Sequence, residues 1–261
     1  MDLGLNGKVA VITGGTDGLG RAMVERLILE GASVATCGRR PDRLTALREG
    51  IQGHDGRLLT QQADVTQPGD LERLVASTLD RFGAIHILVN NAGTSAAYPF
   101  DQTDDAAWHA DLDLKLFAAI RCIRLCLPAM RRAREGRIIN VLNTGAKQPA
   151  ARSVPTSVSR AAGMALTKAL SKELAPDRIS VNAICIGLVK SGQWERRWEQ
   201  RGRPGTLIQF YETLARDSGV PAGRIAEADE LAALVAFLVS PHAAYITGVA
   251  INFDGGLSGA V

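Results

Sequence analysis

The stretch Thr13-Gly14-Gly15-Thr16-Asp17-Gly18-Leu19-Gly20 has the make-up of an anion cradle. It follows the apolar run Val9–Thr13 and leads into helical periodicity. Glycines permit a tight turn and let the backbone approach a pyrophosphate closely, and the helix behind offers unpaired N–H groups and a positive dipole end. The glycines are spaced T-G-x-x-x-G-x-G rather than G-x-G-x-x-G. A second anion-seeking feature is Cys37-Gly38-Arg39-Arg40, whose adjacent guanidiniums can hold a phosphate bidentately. Its plainer reading is a pair of surface charges beside the acid-containing helix Pro41–Glu49. The cysteines Cys37, Cys122, Cys126 and Cys185 form no C-x-x-C pair. Cys122 and Cys126 stand one helical turn apart, a spacing of buried thiols, so no metal site is expected. His54, His86 and His242 lie near no motif, and His109 falls early in a long helical stretch.

The elements that must carry these residues alternate along the chain. Strands are expected at Val9–Thr13, Ser33–Cys37, Arg57–Gln62, Ile87–Asn90, Arg137–Leu142, Ile179–Ile184 and Val249–Phe253. Amphipathic helices fall between them at Leu19–Glu30, Pro41–Glu49, Asp70–Phe82, Asp105–Arg134, Thr156–Ala175 and Ala228–Ser240. Runs such as Val-Ala-Val-Ile are apolar throughout, as strands buried on both faces require. The pattern implies an α/β fold, a Rossmann-type doubly wound seven-stranded parallel sheet with helices on both faces. At 261 residues, with neither repeat nor linker, it makes one domain spanning residues 1–261. A long connection at about residues 190–222, rich in Arg, Trp and Gly, reads as a lid over a substrate or as solvated helices used in subunit packing. A net charge of +3 argues for neither nucleic acid nor membrane as partner. The opening MDLGLNGKVA lacks the pattern of a signal peptide, and no run approaches 18 apolar residues, so the expected location is cytoplasmic.

Further residues give the glycine turn a family context. Asp64-Val65-Thr66 follows the third strand, Asn90-Asn91-Ala92-Gly93 follows the fourth, and Pro128, Val181-Asn182-Ala183, Tyr245-Ile-Thr-Gly248 and Asp254-Gly255-Gly256 come in order behind. From about Lys8 to Gly256 the chain resembles the short-chain dehydrogenases/reductases. That resemblance implies an NAD(P)-dependent oxidoreductase acting on a small-molecule substrate, assembled as a homotetramer or homodimer. It places Gly14, Thr16, Asp17, Gly18, Leu19 and Gly20 at the pyrophosphate, Asp64 and Val65 beside the adenine, and Asn91, Ala92 and Gly93 along the nicotinamide ribose. The residue ending the second strand selects the cofactor in such proteins. With Arg39 and Arg40 there and no acid, NADP(H) is expected rather than NAD.

The resemblance also exposes a departure. Such enzymes use Asn, Ser, Tyr and Lys, yet here Tyr98, Tyr211 and Tyr245 are followed four residues later by Gln102, Ala215 and Val249. Alignment on fixed landmarks puts the Asn position on Lys115, the Ser position on Asn143, the Tyr position on Thr156 and the Lys position on Arg160. A threonine hydroxyl is a far weaker acid than a tyrosine, and losing a positioned general acid costs about 10²–10⁴-fold in rate. Lys115 is the candidate replacement if it shares a partly buried site with Arg160, because desolvation and like charge lower a lysine pKa. In that reading Lys115 moves the proton or attacks a carbonyl, Arg160 contacts the cofactor ribose, and Asn143 bonds a substrate oxygen. The plainer reading has the two cations neutralising phosphate or a nearby acid, Asp111 or Asp113. Tyr98 is a second possible donor, and Tyr211 and Trp194 are expected as walls of packing or pocket. Three functions follow from this frame: an NADP-dependent oxidoreductase with a rebuilt proton path, a non-redox isomerase, dehydratase or cyclase, or a cofactor-binding pseudoenzyme.

Overall fold

A computed structural model describes residues 1–261 apart from Gln52 and His54. The histidine at 54 thus lies outside the described residues. The main sheet contains β1 (Val9–Thr13), β2 (Ser33–Gly38), β3 (Leu58–Gln62), β4 (Ile87–Asn90), β5 (Gly136–Asn143), β6 (Ile179–Ile186) and β7 (Ala250–Phe253). Its spatial order is β3-β2-β1-β4-β5-β6-β7, parallel at every step. Register passes straight across the centre, with Ala10 opposite both Val34 on β2 and Ile87 on β4. The order reverses between β1 and β4, so the crevice at their carboxyl ends is the natural ligand site of such a sheet.

Two apolar layers sandwich the sheet. On one face α1 (Gly18–Leu29), α2 (Pro41–Gly50) and α9 (Ala228–Leu238) bury Met23, Leu27, Leu47, Leu231 and Val235 against Ile12, Val34 and Val89. On the other, α3 (Pro68–Phe82), α5 (Ala118–Ala133) and α6 (Thr156–Glu173) cover Val11, Ala35, Leu88 and Ile138 with Leu71, Leu74, Cys122 and Met130. Each fully buried Leu or Met of these layers contributes roughly 1.5–3 kcal/mol. Strand residues alternate between the layers as a period of two demands.

Several expected boundaries move. The single helix expected over Asp105–Arg134 is three pieces: α4 (Asp105–Leu112), a π-helical turn at Asp113–Phe117, and α5. The wider turn holds Lys115, and such turns recur at functional sites. Arg134, expected inside the helix, has left-handed backbone at φ 51° and ends it. The segment of about 190–222 is largely helical, with α7 (Gly192–Gln200) and α8 (Leu207–Asp217). Beneath α8, Phe210, Tyr211, Ala215, Val220 and Ile225 form a small apolar core of their own. A two-stranded antiparallel ribbon pairs Ala97–Tyr98 with Val154–Pro155 and delivers the chain into the first turn of α6. No helix among the described residues is long and apolar enough to cross a membrane.

Candidate active site

At the end of β1 the backbone of Gly14 takes φ +68°, and a side chain on Gly20 would overlap the Gly14 carbonyl oxygen. The turn is clamped from both sides. Thr36 Oγ1 accepts from Gly15 N (3.1 Å) and donates to the Ile12 carbonyl (2.7 Å). Asn91 Nδ2 donates to the carbonyls of Thr13 (3.0 Å) and Gly14 (3.1 Å). The Asn91 side chain therefore braces the turn, and Asn91, Ala92 and Gly93 line the crevice. Asp17 caps α1, accepting from Gly18 N at 2.8 Å. Asp64 spends one carboxylate oxygen on Thr66, taking its N–H (3.0 Å) and its hydroxyl (2.8 Å).

An open cleft of about 900 Å³ runs over this turn. Gly14, Thr16, Asp17, Gly18, Leu19, Gly20, Arg39, Arg40, Asp64, Val65, Asn91, Ala92 and Gly93 all line it, as do Asn143, Thr156 and Arg160. Trp194 and Arg197 of α7 close one side, the guanidinium stacked 4.5 Å from the indole centroid. Lys115 lies elsewhere. It lines a cavity of about 20 Å³ beneath the cleft, together with Arg160, Asn90 and Asn140.

The contacts of Lys115 decide what it can do. Its ammonium is buried, pairs with Asp111 one helical turn earlier, and donates to Thr156 Oγ1 at 2.7 Å. The other Asp111 oxygen accepts from Ser159 Oγ at 2.6 Å. The expected counter-acid is thus Asp111, while Asp113 pairs with Arg121 at 2.7 Å. Burial pulls Lys115 down to about 8; the Asp111 hydrogen bond opposes that, and the Arg160 charge adds to it. The Lys115 and Arg160 side chains pass together under Gly93, where an added Cβ would sit 2.9 Å from Arg160 Nη2 and 3.8 Å from Lys115 Cγ. Arg160 Nη1 donates to the Val141 carbonyl at 2.5 Å, and its Nε is buried without a protein partner. Burial lowers Arg160 to about 10, which leaves it charged at neutral pH. Asn143 Oδ1 is likewise buried and unpartnered, at the wall of the cleft.

Lys115 as a nucleophile toward a carbonyl does not fit this geometry, because its nitrogen stands behind Thr156. Tyr98 is half exposed on the ribbon and is not among the residues lining the cleft. What the ribbon supplies instead is anchorage, since Thr156 N donates to the Ala96 carbonyl at 3.2 Å. Tyr211 packs beneath α8 with its hydroxyl buried and unpartnered, and desolvation pushes it up to about 12. Ser159 was not visible as a site residue, because nothing in sequence spacing joins it to residue 111. Among the described residues no group of three or more His, Cys, Asp or Glu side chains could hold a metal.

A family model for short chain dehydrogenase matches residues 8–202. The chain belongs to the short-chain dehydrogenase family. A short chain oxidoreductase from Pseudomonas aeruginosa PAO1, described as containing an atypical catalytic center, superposes with TM-score 0.91 at 39% identity, over 97% of this chain and 98% of that one. The same protein is known with NADPH bound, at TM-score 0.90 and 38% identity. L-Sorbose reductase from Gluconobacter frateurii, complexed with NADPH and L-sorbose, gives TM-score 0.94 at 34% identity with both chains covered in full. A putative ketoacyl reductase of the granaticin polyketide synthase from Streptomyces violaceoruber is 36% identical over 95% of this chain and 92% of its own. As a short-chain dehydrogenase, the chain has a cleft that suits a nicotinamide dinucleotide on its own evidence. The close approach at Gly14 and Gly20 leaves bare backbone beneath a pyrophosphate, α1 points its N-terminus there, and the Asn143 oxygen waits unpartnered.

Proposed function

We propose that this short-chain dehydrogenase interconverts a small carbonyl compound and its alcohol using NADP(H), with the proton carried by Lys115 through Thr156. The observation that carries the reading is the 2.7 Å bond from the buried Lys115 ammonium to the hydroxyl of Thr156, a residue that lines the cleft. A threonine alone is too weak an acid for this step. A threonine that accepts a proton from an ammonium while donating its own has no need to be acidic. A nicotinamide held in the cleft would supply the hydride that the carbonyl carbon takes up in the reductive direction. The charge developing on the carbonyl oxygen draws the proton from Thr156 Oγ1, and Thr156 recovers one from Lys115 Nζ. Oxidation reverses each transfer.

The neighbours tune this path. Asp111 keeps the lysine from losing its proton prematurely, and Ser159 fixes the Asp111 carboxylate. Arg160, at the position resembling the family lysine, places a permanent positive charge at the floor of the cleft. Electrostatic stabilisation of a developing oxyanion is a large term in a partly desolvated site. Asn143, on the cleft wall, offers its amide to the substrate oxygen. Arg39 and Arg40, exposed at the end of β2 with no acid at that strand end, support NADP over NAD.

A carbonyl panel followed at 340 nm with NADPH and with NADH tests the reading. NADPH oxidation by a small ketone or aldehyde, slowed about 10²–10⁴-fold in Thr156→Val, is the expected result. NADPH binding without turnover on any member would make the protein a cofactor binder instead, and conversion without NADPH oxidation would make it a non-redox enzyme. Tighter binding of NADH than of NADPH would overturn the cofactor assignment.

A further inference from the structure

The mouth of the cleft is crossed by a charged contact that the proton path does not use. Asp17 spends Oδ1 on the cap of α1, while Oδ2 meets two guanidiniums from different walls. Arg40 Nη2 approaches from the connection after β2 at 3.5 Å, and Arg196 Nη1 approaches from α7 at 3.4 Å. All three side chains line the same cleft. The start of α7 is fitted closely to the glycine turn. A Cβ on Gly192 would come within 2.8 Å of Asp17 Oδ2, and one on Gly18 would lie 3.2 Å from Ser191 Cβ.

Two guanidiniums on a single carboxylate oxygen are separated by no more than the two contacts laid end to end. That gap suits one tetrahedral oxyanion. The carboxylate that holds them is a weak partner: both contacts are long, and the two arginine side chains are 50% and 51% exposed, a setting in which an ion pair contributes about 0–1 kcal/mol. A phosphate monoester brings more charge and three acceptor oxygens, and arginine binds it in a planar fork. It would therefore take both guanidiniums from Asp17 and leave the Asp17 cap intact.

We propose that Arg196 is a specificity-determining residue, the lid's contribution to a 2′-phosphate site otherwise made by Arg39 and Arg40. Asp17 is the internal anion that holds Arg196 over the glycine turn until the phosphate replaces it. The choice of NADP over NAD and the seating of α7 are then one event, because the same side chain performs both. This inference rests on the NADP reading above and adds to it a residue 156 positions beyond Arg40 in the chain.

Calorimetric titration with 2′,5′-ADP and with 5′-AMP, which differ only by the 2′-phosphate, separates the two claims and needs no turnover. If the unaltered protein binds 5′-AMP as tightly as 2′,5′-ADP, the NADP reading itself fails. Given the preference, Arg196→Ala is expected to weaken 2′,5′-ADP about tenfold, the worth of one charge-assisted hydrogen bond, and to leave 5′-AMP within about twofold. Equal loss on both ligands, or loss on neither, would overturn the role of Arg196. Asp17→Asn keeps a capping oxygen but drops the competing charge, so 2′,5′-ADP should bind more tightly. A weaker complex would remove Asp17 from the scheme.

Discussion

A hydroxyl group of ordinary acidity becomes a proton conduit only when a better acid stands behind it. That is the position of Thr156 over Lys115, and it makes separable demands on the two residues. Thr156→Val keeps shape and removes the oxygen; kcat for carbonyl reduction should fall about 10²–10⁴-fold while NADPH affinity holds. Unchanged kcat would exclude the relay. Because Lys115 is drawn down to about 8, the reductive kcat/KM should decline as pH rises through about 8, where the ammonium loses its proton. Oxidation of the alcohol, which needs the neutral amine, should rise over the same window, and parallel profiles in both directions would contradict the assignment. Removing the lysine alone has a second consequence. Lys115→Met strands a buried Asp111 carboxylate, and breaking such a pair costs about 3–5 kcal/mol. Denaturant titration should show that loss in the single variant and its recovery in Asp111→Asn combined with Lys115→Met, with activity restored in neither. At this scale much was legible beforehand. The register of Lys115, Asn143, Thr156 and Arg160 came from resemblance, and Asp111 was visible at i−4 to Lys115. Ser159 was not, since its bond to Asp111 spans 48 positions and two helices.

Element by element, alternation of apolar runs with helical periodicity marked all seven strands of the main sheet and the six helices flanking them. The π turn at Asp113–Phe117 escaped because one extra residue in a 3.6-residue pattern leaves the apolar stripe nearly unchanged over so short a span. Its effect is nevertheless local and chemical: the widened turn sits where Lys115 must point inward. The helices of the segment at about 190–222 were foreseen as one of two readings, solvated helices, but their bounds were not. No residue of α7 is fully buried, and its aromatics are covered by arginines, Arg197 on Trp194 and Arg203 on Trp198, so no apolar stripe faces the main sheet. Helix α8 did carry a written start signal, Thr206 with Gln209 three residues on, which the structure shows as a reciprocal capping box. The most exacting contact between elements is where β1 turns into α1. Gly20→Ala would drive a methyl into the Gly14 carbonyl and within 2.6 Å of Asn91 Nδ2. It should abolish NADPH binding by calorimetry even where circular dichroism shows the fold retained, and binding within twofold of the parent would refute the cradle.

For the molecule as a whole, the arrangement of cores sets what moves. The two large layers share the sheet and have no boundary between them, so they should unfold together. The small core beneath α8 is separate, and α7 meets the glycine turn through the exposed Arg196–Asp17 contact and the close fit of Ser191 and Gly192. A unit with few buried apolar contacts and a weak tether opens at lower free energy than the body that carries it. Amide exchange should therefore be fastest, as one group, over residues 192–217, and slowest in β1, β4 and β5, where every strand residue of β1 and β4 is buried. Cofactor binds only when the cleft is formed, and a ligand at a hundred times its Kd stabilises the competent state by about 2.7 kcal/mol. If lid opening is what releases the cofactor, saturating NADPH should slow exchange in α7 and α8 by up to about a hundredfold and leave the slowest sheet amides ahead of it. Exchange in α7 that ignores bound NADPH would detach that helix from cofactor binding, and with it the reason proposed for an arginine at position 196 to face the glycine turn.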